Sequence, residues 1–116
     1  MAQHSMHPDP NHPVAYAMHY ASRHIYESID MAVVANELNM SYAYFSRIFR
    51  ERTGTTFSKA LMELRMNEIC RLLQQGERLV SIADKFGYQN AANLTRSFTR
   101  EMGVSPSQWI KTHRSE

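Results

Sequence analysis

From Pro13 onward, apolar residues recur at threes and fours and show no run of alternation. That is the spacing of helices with one buried side, not of strands. Val14, Ala17, Met18, Ala21 and Ile25 predict a helix reaching about Tyr26. Asp30 suits an N-cap, its carboxylate accepting from free backbone N–H groups, for a short helix from Met31 to Leu38. Ser41 offers another cap, and Phe45, Ile48 and Phe49 mark the buried side of a helix that stops before Gly54. A longer helix, about Thr56 to Gln74, carries Phe57, Leu61, Leu64, Ile69, Leu72 and Leu73 and ends at Gly76. A short helix from Val80 to Phe86 and a turn at Gly87 follow. Asn90 then caps a helix bearing Leu94, Phe98 and Met102. Gly103 stops it. Ser105-Pro106 opens the last helix, because proline at the first helical position loses no hydrogen bond. The pattern predicts an all-α fold of seven helices. Residues 1–12 lack periodicity and read as a flexible tail or an expression remnant.

Two stretches repeat. Residues 32–61 match residues 79–110, with Ala35 on Ala83 at an offset of 48. From Phe45/Leu94 onward the offset is 49, giving Ser46/Thr95, Arg47/Arg96, Phe49/Phe98 and Gly54/Gly103, so the second turn holds one extra residue. Each copy reads as a short helix, a tight turn and a longer helix. The expected organisation is a helix-turn-helix subdomain over 13–54, a linker helix over 55–75 and a second helix-turn-helix subdomain over 76–114. With Phe45/Phe49 and Leu94/Phe98 turned inward, the opposite sides carry Ala43, Ser46, Arg47 and Arg50, then Ala91, Ala92, Thr95, Arg96 and Arg100. Such a side is small, polar and basic, as a helix lying in a DNA major groove requires. A linker of roughly 19 residues spans about 28 Å, close to the roughly 34 Å between neighbouring major-groove segments on one DNA side.

Composition narrows the classes. The 116 residues allow one core or two very small ones, and 43% hydrophobic with 21% charged residues is globular. No apolar run approaches the roughly 18 residues of a membrane span, no secretory signal is visible, and a cytosolic setting fits. The net charge of +2 is uneven: residues 1–40 balance to −3 and residues 41–116 to +5. A polyanionic partner is one reading of that split, and an ordinary solvated surface is the other.

Several motifs together resemble the DNA-binding domain of AraC/XylS-type transcription regulators, over about residues 14–114. The first subdomain carries A-x5-S-x3-F-S-R-x-F-R-x3-G from Ala35 to Gly54, and the linker carries L-R-M-N-E-I-C-R-L-L from Leu64 to Leu73. The second carries I-A-D-K-F-G-Y from Ile82 to Tyr88 and L-T-R-S-F-T-R-E-M-G-V-S-P-S-Q-W from Leu94 to Trp109. The resemblance implies two helix-turn-helix modules on a linker helix that bind double-stranded promoter DNA and usually activate transcription, with RNA polymerase as a further partner. It places base-contact candidates at Ala43, Ser46 and Arg47 and at Ala91, Ala92, Asn93, Thr95 and Arg96. The helix starts near Thr56 and Ser105 would offer N–H groups to phosphates. The sequence departs from the family where Ile110, not Arg, follows Trp109, and where alanines stand at 43, 91 and 92. Alanine touches thymine methyls but donates no hydrogen bond. More weight then falls on Arg47, Asn93, Arg96 and DNA shape.

Each candidate also has a plainer role. Arg47 and Arg96 can grip guanine or phosphate, or pair with an acid on their own surface. Arg50 and Arg100 suit phosphates, with solubility as the rival role. Asn90 suits a cap, Asn93 can read adenine, and Tyr42 and Tyr44 can stack on the backbone or simply pack. Arg65 and Arg71 suit intramolecular ion pairs. The expectation is no metal, cofactor or enzyme activity. His4, His7 and His12 lie among prolines, which suits an unstructured tail rather than a metal site, and His19 and His24 lack helical ligand spacing. One cysteine, Cys70, rules out the cysteine-rich zinc site of a DNA-repair relative of this family. A helical protein-interaction module without DNA reading is the alternative, and it calls for an exposed apolar groove. The domain is expected to be monomeric. It reads either as a naturally short regulator or as the C-terminal piece of a longer one.

Overall fold

A computed structural model describes residues 12–113. These residues form seven helices and no strand: α1 (Pro13–Arg23), α2 (Met31–Glu37), α3 (Tyr42–Thr53), α4 (Phe57–Gln74), α5 (Leu79–Lys85), α6 (Ala91–Met102) and α7 (Pro106–His113). The chain divides into two compact units between Leu64 and Arg65, inside α4.

In the first unit, α1 and α2 both pack on α3. Ala17 and Ala21 of α1 and Ala35 of α2 are almost fully buried, and their small side chains let the backbones approach. The centre is aromatic: Phe45, Phe49 and Phe57 lie with ring centroids 5.4 to 5.9 Å apart, two of the three pairs edge to face. Such pairs add about 0.5–1.5 kcal/mol each beyond area burial. Val34 and Leu38 close one side, and Ala60 and Leu61 of α4 close another.

In the second unit, α6 packs on α5 and on α7. Ile82, Ala83, Leu94, Phe98 and Trp109 are buried, as are Met66, Ile69, Leu72 and Leu73 of α4. Phe98 meets Trp109 edge to face at 6.4 Å, and His113 stacks on the other part of the indole at 4.2 Å. The Gln74 amide donates to the His113 carbonyl at 3.2 Å, tying the ends of α4 and α7. Ser97 is a buried polar residue here, and the Tyr88 hydroxyl donates to it at 3.1 Å.

The repeat reaches the level of single hydrogen bonds. After α2 the Met40 N–H donates to the Ala35 carbonyl at 2.9 Å, and after α5 the Tyr88 N–H donates to the Ala83 carbonyl at 2.9 Å. Both ends are Schellman closures, with a left-handed residue at 39 or 87. Both longer helices end on left-handed glycines, Gly54 and Gly103.

The first helix is shorter than its periodicity predicts, ending at Arg23 rather than near Tyr26. Its last buried residue is Ala21, so further turns would bury little. The His24 N–H is shared between the Tyr20 and Ala21 carbonyls, and the chain turns at once through Glu27 N–H to His24 O. The fifth helix starts and ends one residue earlier than its pattern suggests, within the ordinary latitude of helix ends. Residues 1–11 lie outside the described residues, and with them His4, His7 and most of the expected tail. His12 is exposed, and its carbonyl accepts from the Tyr16 N–H at 3.0 Å. No helix among the described residues is long and apolar enough to cross a membrane.

Candidate nucleic-acid interface

In the first unit the Ser41 hydroxyl accepts from the Tyr44 N–H at 3.1 Å, fixing where α3 begins. With Phe45, Ile48 and Phe49 buried, helical geometry turns the other side outward. Ala43, Arg47 and Arg50 are exposed there and Ser46 is half-buried. An open groove of about 690 Å³ runs along this side, lined by Ala43, Ser46, Arg47, Arg50 and Thr56 together with Met31, Tyr42, Phe57 and Ser58. All five candidates of the first unit therefore line one concavity, two of them arginines. Thr56 caps α4, its hydroxyl accepting from the Lys59 N–H at 3.1 Å.

The two arginines differ. Arg47 lies 3.5 Å from the Glu51 carboxylate, with both side chains more than half exposed, and its guanidinium sits 5.1 Å from the Tyr44 ring centroid. A pair that open to water is worth at most about 1 kcal/mol, so it holds Arg47 without locking it. Arg50 has no ion-pair partner among the described residues. Tyr42 and Tyr44 are 51% and 44% exposed, so packing does not consume them.

In the second unit the Asn90 side-chain carbonyl accepts from the Asn93 N–H at 2.8 Å and starts α6. Leu94, Ser97 and Phe98 are buried. On the other side Ala92, Arg96 and Arg100 are exposed, while Ala91, Asn93 and Thr95 are half-buried. Asn90 and Ala91 line a smaller hollow of about 390 Å³ with Val80, Ser81, Ala83, Asp84, Tyr88 and Gln89. Arg96 Nη2 donates to Asn93 Oδ1, and Asn93 Nδ2 donates to Gln89 Oε1 at 3.4 Å. Arg100 lies 3.5 Å from the Glu101 carboxylate. Ser105 caps α7 and forms a capping box: its hydroxyl accepts from the Gln108 N–H at 3.2 Å, and its own N–H donates to the Gln108 side chain at 3.4 Å.

The helix-turn-helix domain family matches residues 34–112, both modules and the helix between them. The chain is an AraC-type helix-turn-helix domain. Among solved structures it is similar to the C-terminal domain of AraT, a response regulator from Geobacillus stearothermophilus, at TM-score 0.80 and 29% identity, covering 90% of this chain and 88% of that one. The DNA-binding domain of AdpA, a global transcription factor solved with a target DNA, matches at TM-score 0.74 and 28% identity over 89% of this chain and 94% of that one. The transcriptional activator RhaR of Klebsiella pneumoniae subsp. pneumoniae is 38% identical over 68 residues, 58% of this chain and 24% of RhaR. The AraC-type domain spans from 24% to 41% of the length of such curated relatives. These relatives are transcription regulators, not enzymes, by their names.

Two features of this AraC-type domain are hard to see in its sequence. Gln89 is the extra residue of the second turn; the shift in offset from 48 to 49 marks the insertion, but nothing in the sequence points to Asn93 as its partner. The placement of Tyr44 against Arg47 follows from their i, i+3 spacing, a signal masked by the many other aromatic residues nearby. Among the described residues no three His, Cys, Asp or Glu side chains gather as a metal site.

Proposed function

We propose that this domain reads promoter DNA for a bacterial transcription activator in the cytoplasm, as a monomeric unit placing α3 and α6 in successive major grooves. The groove on α3 carries the reading: the small Ala43 and Ser46 beside Arg47 and Arg50 in its lining suit a DNA edge flanked by phosphates. Arg47 and Arg96 contact bases. Arg50, Arg100 and the helix starts at Thr56 and Ser105 contact phosphates, with Ala43, Ser46, Ala91, Ala92 and Thr95 lining the base edges. The AdpA domain, solved on a target DNA, supports this assignment, and the name of RhaR supports activation, for which RNA polymerase is the natural partner. A purely protein-binding module fits less well, because two arginines and no acid line the groove.

Anisotropy titration against DNA selected from a random pool, at several salt concentrations, tests the proposal. Arg47→Ala and Arg96→Ala should each cost about 1–3 kcal/mol of binding, and affinity should fall steeply with salt. Binding indifferent to salt, or unchanged in the double variant, would overturn it.

A further inference from the structure

We infer that Asn93 is a positioning residue for Arg96, anchored by Gln89, and does not itself read a base. This rests on the DNA-reading proposal above. A bidentate contact to adenine needs the Asn amide and carbonyl turned together toward one base edge. Here both are used inside the protein: Oδ1 accepts from Arg96 Nη2 and Nδ2 donates to Gln89 Oε1. The chain Gln89–Asn93–Arg96 runs from the turn before α6 into its second turn, and its far end is the one cation of the three. A guanidinium held by a neutral acceptor keeps its full charge and its remaining N–H donors for guanine or phosphate. It also arrives with fewer rotamers to lose on binding.

The repeat supplies an independent observation. At the offset of 49, Tyr44 stands where Asn93 stands and Arg47 where Arg96 stands. Tyr44 holds Arg47 under its ring at 5.1 Å. Both modules thus place a holding group three residues before the reading arginine, one turn back on the same side, using an aromatic face in one case and an amide carbonyl in the other. Met40 matches Tyr88, so the first module has no residue at the place of Gln89 and no anchor there. The residue inserted in the second turn brings an anchor that its holding group needs.

The experiment is base-by-base binding of the intact domain to its selected DNA and to single base-pair variants. Arg96→Ala should flatten the preference at one base pair by about 5- to 150-fold. Asn93→Ala should flatten the same base pair, less deeply, and the double variant should match Arg96→Ala alone. Gln89→Ala should give a weaker form of the Asn93→Ala result. Asn93→Asp keeps an acceptor for Arg96 and should keep the base preference while weakening overall affinity. Loss of preference at a second base pair in Asn93→Ala or Asn93→Asp, or effects that multiply in the double variant, would overturn the inference and leave DNA reading intact. If the unaltered domain selects no sequence at all, DNA reading fails and the inference fails with it. Fluorescence of Trp109, the single tryptophan, checks that each variant is folded. Should Asn93→Ala not fold, Asn93→Asp and Gln89→Ala decide between the same outcomes.

Discussion

Asn39 and Gly87 close equivalent turns with the same left-handed backbone, at φ of 58° and 78°. Each lies just past the end of a short helix and redirects the chain into a longer one, so the two residues solve one geometric problem with different chemistry. Asparagine tolerates the left-handed region because its short polar side chain can bond locally, while glycine enters it at no steric cost.

Gly87→Ala should therefore destabilise the second unit by about 1–2 kcal/mol. A Cβ at Gly87 would meet nothing within 4 Å, so the cost is conformational rather than steric. Gly87→Asn should cost clearly less, since the first turn already carries that residue. Urea unfolding followed by Trp109 fluorescence measures both, and equal losses in the two variants would contradict the argument.

The second prediction concerns Glu51, the acid beside Arg47. Under the proposed function its carboxylate stands near the DNA phosphates and competes with them for Arg47. Glu51→Gln should raise DNA affinity at low salt by a few fold, roughly the worth of an exposed ion pair. The gain should shrink as salt screens the charges. Anisotropy titrations of both forms across a salt series check this, and an affinity loss at low salt would count against Glu51 as a competitor.

Tyr16 of α1 donates its phenolic hydrogen to the Glu37 carboxylate of α2. That bond, with burial and the nearby negative charge, holds the phenol above its ordinary value. The folded protein keeps this proton where the unfolded chain releases it. The contribution is complete below the unfolded value of about 10 and is lost as pH rises through the folded one. Tyr16→Phe should remove this part of the alkaline fall in stability. It should also remove from the tyrosinate absorbance curve a step that lies above the ordinary phenol value. Loss of a step at the ordinary phenol value instead would mean the α1–α2 bond does not persist in solution.

Cys70 is buried in the second unit, and burial pushes its thiol up. Thiol reagents attack the thiolate and need access to it. Labelling near neutral pH should be slower in the folded domain than in the urea-unfolded chain by about tenfold or more. Mass spectrometry over time reads this, and equal rates would show that α4 opens freely around position 70.

The helices, their caps and the duplication were legible in the residues because each is a local matter. Spacing at threes and fours sets a buried side, Asp30, Ser41 and Asn90 accept from N–H groups two or three residues onward, and glycines at 54, 76 and 103 end helices within the same turn. The exit from α1 was less legible, since its end depends on what residues beyond Ala21 could bury. Three things belong to the folded molecule alone: the gathering of Thr56 with Ala43, Ser46, Arg47 and Arg50 around one groove, the bond from Tyr16 to Glu37, and the use of both ends of the Asn93 amide. Each joins specific polar atoms across separate segments or along an exposed helix side. Many partners there lie within reach by spacing, and only packing of the surrounding backbone selects one.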